Sequence, residues 1–317
     1  MPRLTLTLLL IATVTSVAGA TYAMWLNPEM HFWKVVAERK LSWVEQMRAK
    51  HGHVIGVVGG STTTFAIDAG MIEREYGLPV ANLGLNAGVG AEACAGFGLA
   101  ALQPGDTLIV SIEPGLLIDE DVGNTSLATR LAYSLDKPEM LHWRKGESFS
   151  SRAADITKLQ PGSGHVITML GKLAMRMPLY RYSADNSLPG GLQVTDERRN
   201  FAVTPASTIE DATISLSPEG TELLTNIRQE AERRGIRVIY ILPWAYAPEK
   251  VAEIQRHANS HFLDQVSATM PVIREPAMGV HTERQDFSDS GQHLTLEAAA
   301  KRSIFFAKAL KRITQSH

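Results

Sequence analysis

The sequence predicts an α/β protein of three layers, with helices on both faces of a mainly parallel central sheet. Between residues 53 and 112, three short apolar runs alternate with helical patterns. Parallel strands need a crossover, which is usually a helix, so this alternation is typical of a parallel sheet. The same pattern returns at residues 217–242, after a long stretch that lacks it.

The first segment, residues 1–26, is apolar and is expected to bring the chain to a membrane. After Arg3, no charged side chain occurs before Glu29. This length suffices for a spanning helix, which needs about 20 apolar residues. The small residues at 18–20 also fit a signal-peptide cleavage site. We therefore expect an exported protein, either anchored in the inner membrane and facing the periplasm or extracytoplasmic space, or secreted after cleavage.

The remaining residues, 27–317, are interpreted as one α/β domain that begins with an amphipathic helix. Phe32, Val36, Trp43 and Met47 recur there at helical spacing among charged residues. Apolar runs bounded by turn residues then indicate strands that are buried on both faces. These strands are predicted at residues 53–58, 79–83 and 107–112.

A middle region, residues 117–216, breaks the alternation and is interpreted as an irregular insertion. It mixes aromatic side chains with Pro-Gly turns. Because long insertions on a rigid scaffold commonly carry recognition, we expect it to cover the end of the sheet that binds ligands. Regular elements resume with a helix from Ser217, a strand at 236–242, and helices at 248–270 and 295–313.

Composition excludes several classes of function. The 31 Lys and Arg against 33 Asp and Glu leave no basic excess for a nucleic-acid partner. Cys94 is the lone cysteine, so neither an intrachain disulfide nor a cysteine metal site is expected. His257 and His261 are four residues apart but lack the remaining pattern of a zinc site. We expect no metal and no organic cofactor.

A serine directly after the first predicted strand is the first candidate for chemistry. Ser61 follows Gly59 and Gly60 at the carboxyl end of this strand, where ligands bind in open parallel sheets. A hydroxyl nucleophile needs a base from elsewhere in the chain. His293 lies in a polar loop before the last helix, with two aspartates shortly before it. An aspartate beside an imidazole fixes its tautomer and stabilises the imidazolium.

Four runs, taken in order, resemble the sequence blocks of the SGNH (GDSL-like) hydrolases and acyltransferases. They cover nearly the whole chain outside the apolar segment and the insertion. They are Gly59-Gly60-Ser61, Ile67-Asp68, the run Asn82 to Gly88, and the run Asp289 to Leu294.

This resemblance implies an SGNH-type fold, flavodoxin-like in its sheet, with Ser61 as nucleophile, His293 as base and Asp289 as the triad acid. Three residues separate Asp289 from His293, whereas the family usually has two, so Asp286 stays an alternative acid. Gly60 replaces the commoner aspartate of the first block. That change is expected to be harmless because this position mainly shapes the turn.

The resemblance also implies an oxyanion hole. Its donors are expected to be the backbone N–H groups of Ser61 and of Gly84 or Gly88, with the side chain of Asn86 as a further donor. The family places an asparagine after the third strand, but here that position is Glu113. A carboxylate cannot donate, and the loss of one oxyanion donor costs about 3 kcal/mol. Asn86 is then expected to substitute, or Glu113 to have another role, or the activity to be low.

The leading hypothesis is a serine esterase or O-acyltransferase that acts on an acylated envelope polysaccharide or a related ester. An alternative is a catalytically silent protein of the same fold that binds polysaccharide or assists a membrane acyltransferase. A second alternative is an unrelated flavodoxin-like binding protein. The expected partners are an acylated carbohydrate or small ester, the membrane through an uncleaved N-terminal helix, and the machinery of an envelope polysaccharide.

Overall fold

A computed structural model describes residues 2–118, 123–144, 146, 148–160, 163–177, 179–195 and 214–315. Its helices are α1 (Pro2–Thr21), α2 (Pro28–His51), α3 (Ser61–Thr64), α4 (Ala69–Tyr76), α5 (Ala91–Ala101), α6 (Ser126–Ser134), α7 (Glu139–His142), α8 (Phe149–Lys158), α9 (Ser163–Ala174), α10 (Pro218–Arg233), α11 (Glu249–Ser267) and α12 (Leu296–Gln315). Its strands are β1 (Ile55–Val58), β2 (Val80–Asn82), β3 (Thr107–Val110), β4 (Arg237–Ile241), β5 (Ala245–Tyr246), β6 (Val272–Ile273) and β7 (Val280–His281).

The central sheet confirms the predicted α/β class. In the described part of the chain it has five parallel strands in the order β2-β1-β3-β4-β6. The chain moves outward from β1 to β2 and then returns across β1 to β3. Ligands of open parallel sheets bind at such a reversal, outside the carboxyl ends of the strands. The segments after β1 and β3, which contain Ser61 and Glu113, therefore meet at the favoured binding edge.

Apolar residues cover both faces of this sheet. On one face, a large cluster combines Val58 and Val110 with residues of α2, α5, α6, α10 and α11. On the other, Val57 and Ile109 join residues of α4 and α12. Neighbouring residues of a strand point to opposite faces, so each buried strand contributes to both clusters. The result is the predicted arrangement of helices, sheet and helices.

The predicted strands and long helices occur with shifts of a few residues at their ends. The strands β5, β6 and β7 were not predicted because two residues are too few for a readable pattern. The predicted insertion was expected to be irregular, and this was wrong for its described part, which contains the helices α6 to α9. Their short lengths and the turns between them hide the helical period. Residues 196–213 lie outside the described residues.

The apolar N-terminus forms α1, which continues into a π-helical turn at Tyr22–Leu26. A stretch of 24 residues, Arg3–Leu26, is long and apolar enough to cross a membrane. This is compatible with a signal sequence as well as with an anchor. Asn27 then caps α2, because its side chain accepts a hydrogen bond from Glu29 N–H at 2.9 Å.

A lysine of α2 is enclosed in the protein interior. Lys40 is fully buried, and its Nζ donates to Asn82 Oδ1 at 3.2 Å. The Nδ2 of Asn82 donates in turn to the carbonyl oxygens of Thr63 at 3.0 Å and Ile67 at 2.9 Å. Helix α2 is thereby tied to the segment that follows Ser61. Burial lowers the pKa of Lys40 from 10.5 to about 7.

The buried lysine predicts stability that increases with pH. Between about pH 7 and the pKa of an unfolded lysine, the unfolded chain binds a proton that the folded protein lacks. The free energy of unfolding should therefore increase by up to about 1.4 kcal/mol per pH unit. Lys40→Met should remove this slope and stabilise the protein at pH 7.

Guanidinium unfolding of the full chain in detergent, from pH 7 to about pH 9.5, measures this slope before tyrosines ionise. Lys34→Met, which changes a partly exposed lysine of the same helix, is the control and should keep it. An unchanged slope in Lys40→Met would show that Lys40 is not held neutral.

Candidate active site

Ser61 begins α3 immediately after the turn that follows β1. The side chain of Ser61 is partly exposed, whereas Thr62, Thr63 and Thr64 are buried. Within the described residues, no group accepts a hydrogen bond from Ser61 N–H or contacts its Oγ as a hydrogen-bond partner. The serine therefore presents both a free hydroxyl and a free amide at the sheet edge.

The carboxylate of Glu113 holds the two residues on either side of Ser61. Its Oε2 accepts from Gly60 N–H at 2.9 Å, and its Oε1 accepts from Thr62 N–H at 3.1 Å and from the Thr62 hydroxyl. Glu113 is 5% exposed. A buried carboxylate is stabilised by hydrogen bonds of this kind, and helix N-termini favour negative charge. Glu113 thus acts as the acceptor for the turn rather than as an oxyanion donor.

This contact also explains why glycine precedes the serine. A Cβ at position 60 would collide with both carboxylate oxygens of Glu113 and with its Cδ. An aspartate there would add the repulsion of two carboxylates at short range. The side chain of Glu113 therefore requires a glycine at position 60. The expectation that Gly60 merely shapes the turn was incomplete, because this glycine also makes room for Glu113.

His293 is paired with Asp289. The Nδ1 of His293 is 2.7 Å from Asp289 Oδ1, and both side chains are buried. The loop that carries them is closed by Ser288 N–H, which donates to His293 O at 2.8 Å, and by Ser290 Oγ, which accepts from His293 N–H at 3.1 Å. The three intervening residues form this loop, which explains how the longer spacing still brings the two side chains together.

Two residues of the predicted insertion complete the surroundings of Asp289. Tyr182 donates its hydroxyl proton to Asp289 Oδ2 at 2.8 Å, and Arg181 lies 3.4 Å from the same oxygen. Burial alone raises the pKa of Asp289, but the hydrogen bond and charge of His293, together with Tyr182 and Arg181, lower it to about 2. Asp289 is thus ionised at neutral pH.

Asp286, the alternative triad acid, has a different partner. Its Oδ1 lies 3.1 Å from Lys301 Nζ, and its backbone oxygen accepts from Thr295 N–H at 2.9 Å. It stabilises the start of α12 and makes no hydrogen bond to His293 in the described structure. Of the two aspartates left open by the sequence, only Asp289 contacts the imidazole.

Phe65 brings the histidine close to the serine helix. Its ring stacks on the His293 imidazole with centroids 4.3 Å apart and an angle of 25° between the planes. Phe65 N–H donates to Ser61 O at 3.0 Å, so it lies one helical turn after the serine. No hydrogen bond joins Ser61 to His293 among the described atoms. Catalytic hydrogen bonds are often long in ligand-free enzymes and tighten when substrate binds.

The predicted oxyanion donors need a correction. Gly84 N–H donates to Asn82 Oδ1 at 3.0 Å, and Gly88 N–H donates to Asn86 Oδ1 at 2.7 Å. Neither amide is free, because each closes a local turn around an asparagine side chain. The Asn86 Nδ2 and the Ser61 N–H have no acceptor in the described part. These two donors remain from the predicted set.

A cavity of about 650 Å³ opens beside Glu113, at the carboxyl ends of β3 and β4. Its wall is mostly apolar, with amide side chains at intervals, a composition typical of small-molecule sites. Ile118 and Ile214, from the two ends of the predicted insertion, contribute to it. Its polar lining comprises Thr62, Glu113, Tyr246, Gln255, Asn259 and Gln292.

The role of Tyr182 was missed at the level of sequence. In the sequence, Tyr180 and Tyr182 stand out only as aromatic residues of the predicted insertion. They instead pack with Phe32 and Phe65, and Trp33 Nε1 donates to the Tyr180 hydroxyl at 3.0 Å. Aromatic density was the only available signal, because nothing local relates position 182 to position 289.

Comparison with known proteins adds no family assignment. Neither the protein-family models nor the curated proteins compared with this chain match it. A buried His-Asp pair can activate a free serine hydroxyl, provided that the imidazole reaches it.

The His293–Asp289 pair predicts unequal effects of removing the two aspartates. Asp289→Asn should lower the rate of ester hydrolysis by roughly 10⁴-fold, because an amide reverses the hydrogen bond that fixes the imidazole tautomer. Asp286→Asn should cost less than about fivefold, since it removes a partly exposed ion pair. Initial rates on a short-chain p-nitrophenyl ester measure both. Equal losses, or a larger loss in Asp286→Asn, would contradict the pairing.

Proposed function

We propose that this protein is a serine esterase or O-acyltransferase of the SGNH type. The observation that carries the proposal is the buried His293–Asp289 pair, whose Nδ1–Oδ1 distance is 2.7 Å. An ionised aspartate at Nδ1 leaves Nε2 as the basic nitrogen of the ring. The stacked Phe65 holds that ring beside the helix of Ser61.

In the proposed reaction, Ser61 Oγ attacks the acyl carbon of an ester while His293 Nε2 takes its proton. The tetrahedral intermediate collapses to an acyl-enzyme, and the imidazolium returns the proton to the departing alcohol. Water or a sugar hydroxyl then attacks the acyl carbon while His293 Nε2 takes its proton, and the bond to Ser61 Oγ breaks as the imidazolium returns the proton to that oxygen. Asp289 stabilises the imidazolium in both steps.

The oxyanion would be held by Ser61 N–H and by the side-chain amide of Asn86. Both are donors with no acceptor among the described residues, and each donor is worth about 3 kcal/mol in sites of this kind. The carboxylate of Glu113 accepts hydrogen bonds from the residues on either side of Ser61. Its charge would oppose the negative charge of an oxyanion at this edge. We therefore propose a slow hydrolase or one whose activity depends on its acceptor.

The proposed substrate is an acylated envelope polysaccharide or a related ester. The apolar N-terminal helix would bring the domain to the extracytoplasmic side of the inner membrane or export it. The cavity beside Glu113 combines apolar wall with amide groups that can bind hydroxyls, as a carbohydrate ester requires. The machinery that makes such a polysaccharide is the proposed partner.

One observation favours a second candidate, a silent protein of the same fold that binds polysaccharide or assists a membrane acyltransferase. Glu113 occupies the two N–H groups that flank Ser61, and it places a carboxylate where the family has an amide donor. In this candidate the cavity binds the carbohydrate and Ser61 has no covalent role.

Covalent labelling separates the two candidates. The wild-type protein should react slowly with a fluorophosphonate probe, and Ser61→Ala should not react while remaining folded. Glu113→Asn should label faster, by up to roughly a hundredfold, because it removes the carboxylate and adds an amide donor. Labelling rates by intact-protein mass spectrometry give the comparison.

Two further variants control this experiment. Ser150→Ala changes an exposed serine and should label like the wild type. Glu113→Gln keeps the side-chain length and one acceptor oxygen, so it separates the effect of charge from that of shape. Circular dichroism confirms folding in each case. If the folded wild type and Glu113→Asn both fail to label, the silent candidate is supported and catalysis is rejected.

A further inference from the structure

Helices α8 and α9 carry apolar side chains that the fold leaves uncovered. Single exposed apolar residues are ordinary, but contiguous groups mark a surface that meets a partner or a membrane. These residues, together called the outer apolar surface, are Phe149 (91% exposed), Ile156 (60%), Ile167 (69%), Leu170 (61%) and Leu173 (56%), with Met175 (66%) directly after α9.

Each helix arranges these residues on one side. In α8, Phe149 and Ile156 are seven residues apart and share an exposed face, while Asp155, about 100° further around the helix from Ile156, is buried. In α9, Ile167 and Leu170 are three residues apart and exposed, whereas Met169 between them is buried. Both helices are therefore amphipathic, with the apolar face turned away from the protein.

A direct contact joins this surface to α1. Gln160, just after α8, donates from Nε2 to Ser16 O at 3.0 Å. If the hydrocarbon layer begins near Leu4, the 20 residues that span it end near Ala23. Ser16 then lies about 10 Å inside that boundary. The end of α8 is therefore at the depth that interfacial helices reach, about 5–10 Å.

The length of α1 leads to the same depth independently. Residues 3–18 are exposed, and residues 19–24 are partly or fully buried against the domain. These exposed residues extend about 24 Å along the helix axis, whereas the hydrocarbon layer is about 30 Å thick. The missing 6 Å or so must be supplied by the surface of the domain around α1. Trp25, 49% exposed, lies at this end, where tryptophan favours the membrane interface.

We propose that α8 and α9 lie in the outer boundary of the bilayer that α1 spans, with the outer apolar surface against lipid acyl chains. The proposal requires a retained α1 and is independent of catalysis. The chain continues from α9 to Arg181 and Tyr182, so this placement would also fix the two residues that contact Asp289 relative to the membrane. Contact with lipid would hold the site close to a membrane-embedded acyl donor or partner.

Fluorescent labelling of the full chain in phosphatidylcholine vesicles tests this proposal. Cys94 is buried, so single cysteines can be labelled with the environment-sensitive dye NBD at Ile156→Cys and Leu170→Cys. Ile254→Cys on α11, an exposed apolar residue of another helix, is the matched control. The dyes at 156 and 170 should show blue-shifted emission, loss of quenching by aqueous iodide, and quenching by nitroxide-labelled lipid. High salt should not reverse this, because the contact is apolar.

Three results would overturn the proposal. Iodide quenching equal to that at 254 would place the surface in water. Protection from both iodide and lipid nitroxide would show that protein covers the outer apolar surface. If dilution of the protein in the vesicles then restores quenching by iodide, the cover is a second copy of the chain; otherwise it is another partner. An intact mass that lacks residues 1–26 would show that the N-terminal segment is a cleaved signal, so that α1 is not retained in the membrane. None of these results depends on fluorophosphonate labelling at Ser61, so failure of the proposed function is distinguishable.

Discussion

The candidate site depends on the hydrogen bonds that the carboxylate of Glu113 accepts. It joins the segment after β3 to the turn after β1 through the N–H groups of Gly60 and Thr62. The strand order brings these two segments together at the reversal of the sheet, so the contact lies at the edge where ligands bind. The same carboxylate orients Ser61 and places negative charge beside it. The contact that stabilises the turn would therefore also disfavour an oxyanion at this edge.

Two other parts of the chain support the candidate site, the insertion on the side of Asp289 and α2 on the side of Ser61. Asp289 accepts from Tyr182 of the insertion as well as pairing with His293, and its low pKa follows from these partners. On the serine side, Lys40 of α2 reaches the same segment through Asn82. The insertion contacts Asp289 directly through Tyr182, whereas α2 reaches the segment after Ser61 only through Asn82. Attachment to a membrane would thus act on the site through packed elements rather than through a flexible linker.

Local patterns predicted the sheet and the position of Ser61 at the end of its first strand, because buried parallel strands and glycine turns are read from adjacent residues. The choice between Asp286 and Asp289 stayed open, since both stand close to His293 and only the loop geometry separates them. The contact of Tyr182 with Asp289 joins positions 107 residues apart and leaves no local signal. Glu113 was recognised as a departure, but its role as acceptor for Gly60 depends on a three-dimensional contact. The N–H groups of Gly84 and Gly88 were expected to be free donors, and this was wrong because their asparagine acceptors are also seen only in three dimensions.

A double-mutant cycle on Gly60 and Glu113 tests most directly whether this contact organises the serine turn. Gly60→Asp alone should destabilise the protein by about 1–3 kcal/mol through overpacking and repulsion. Glu113→Asn alone should cost about 1–3 kcal/mol by leaving buried N–H groups without an acceptor. Measured by guanidinium unfolding, the double variant should be more stable than the sum predicts, by about 1 kcal/mol or more. Additive costs would show that the two positions are not coupled and would contradict the central role of Glu113.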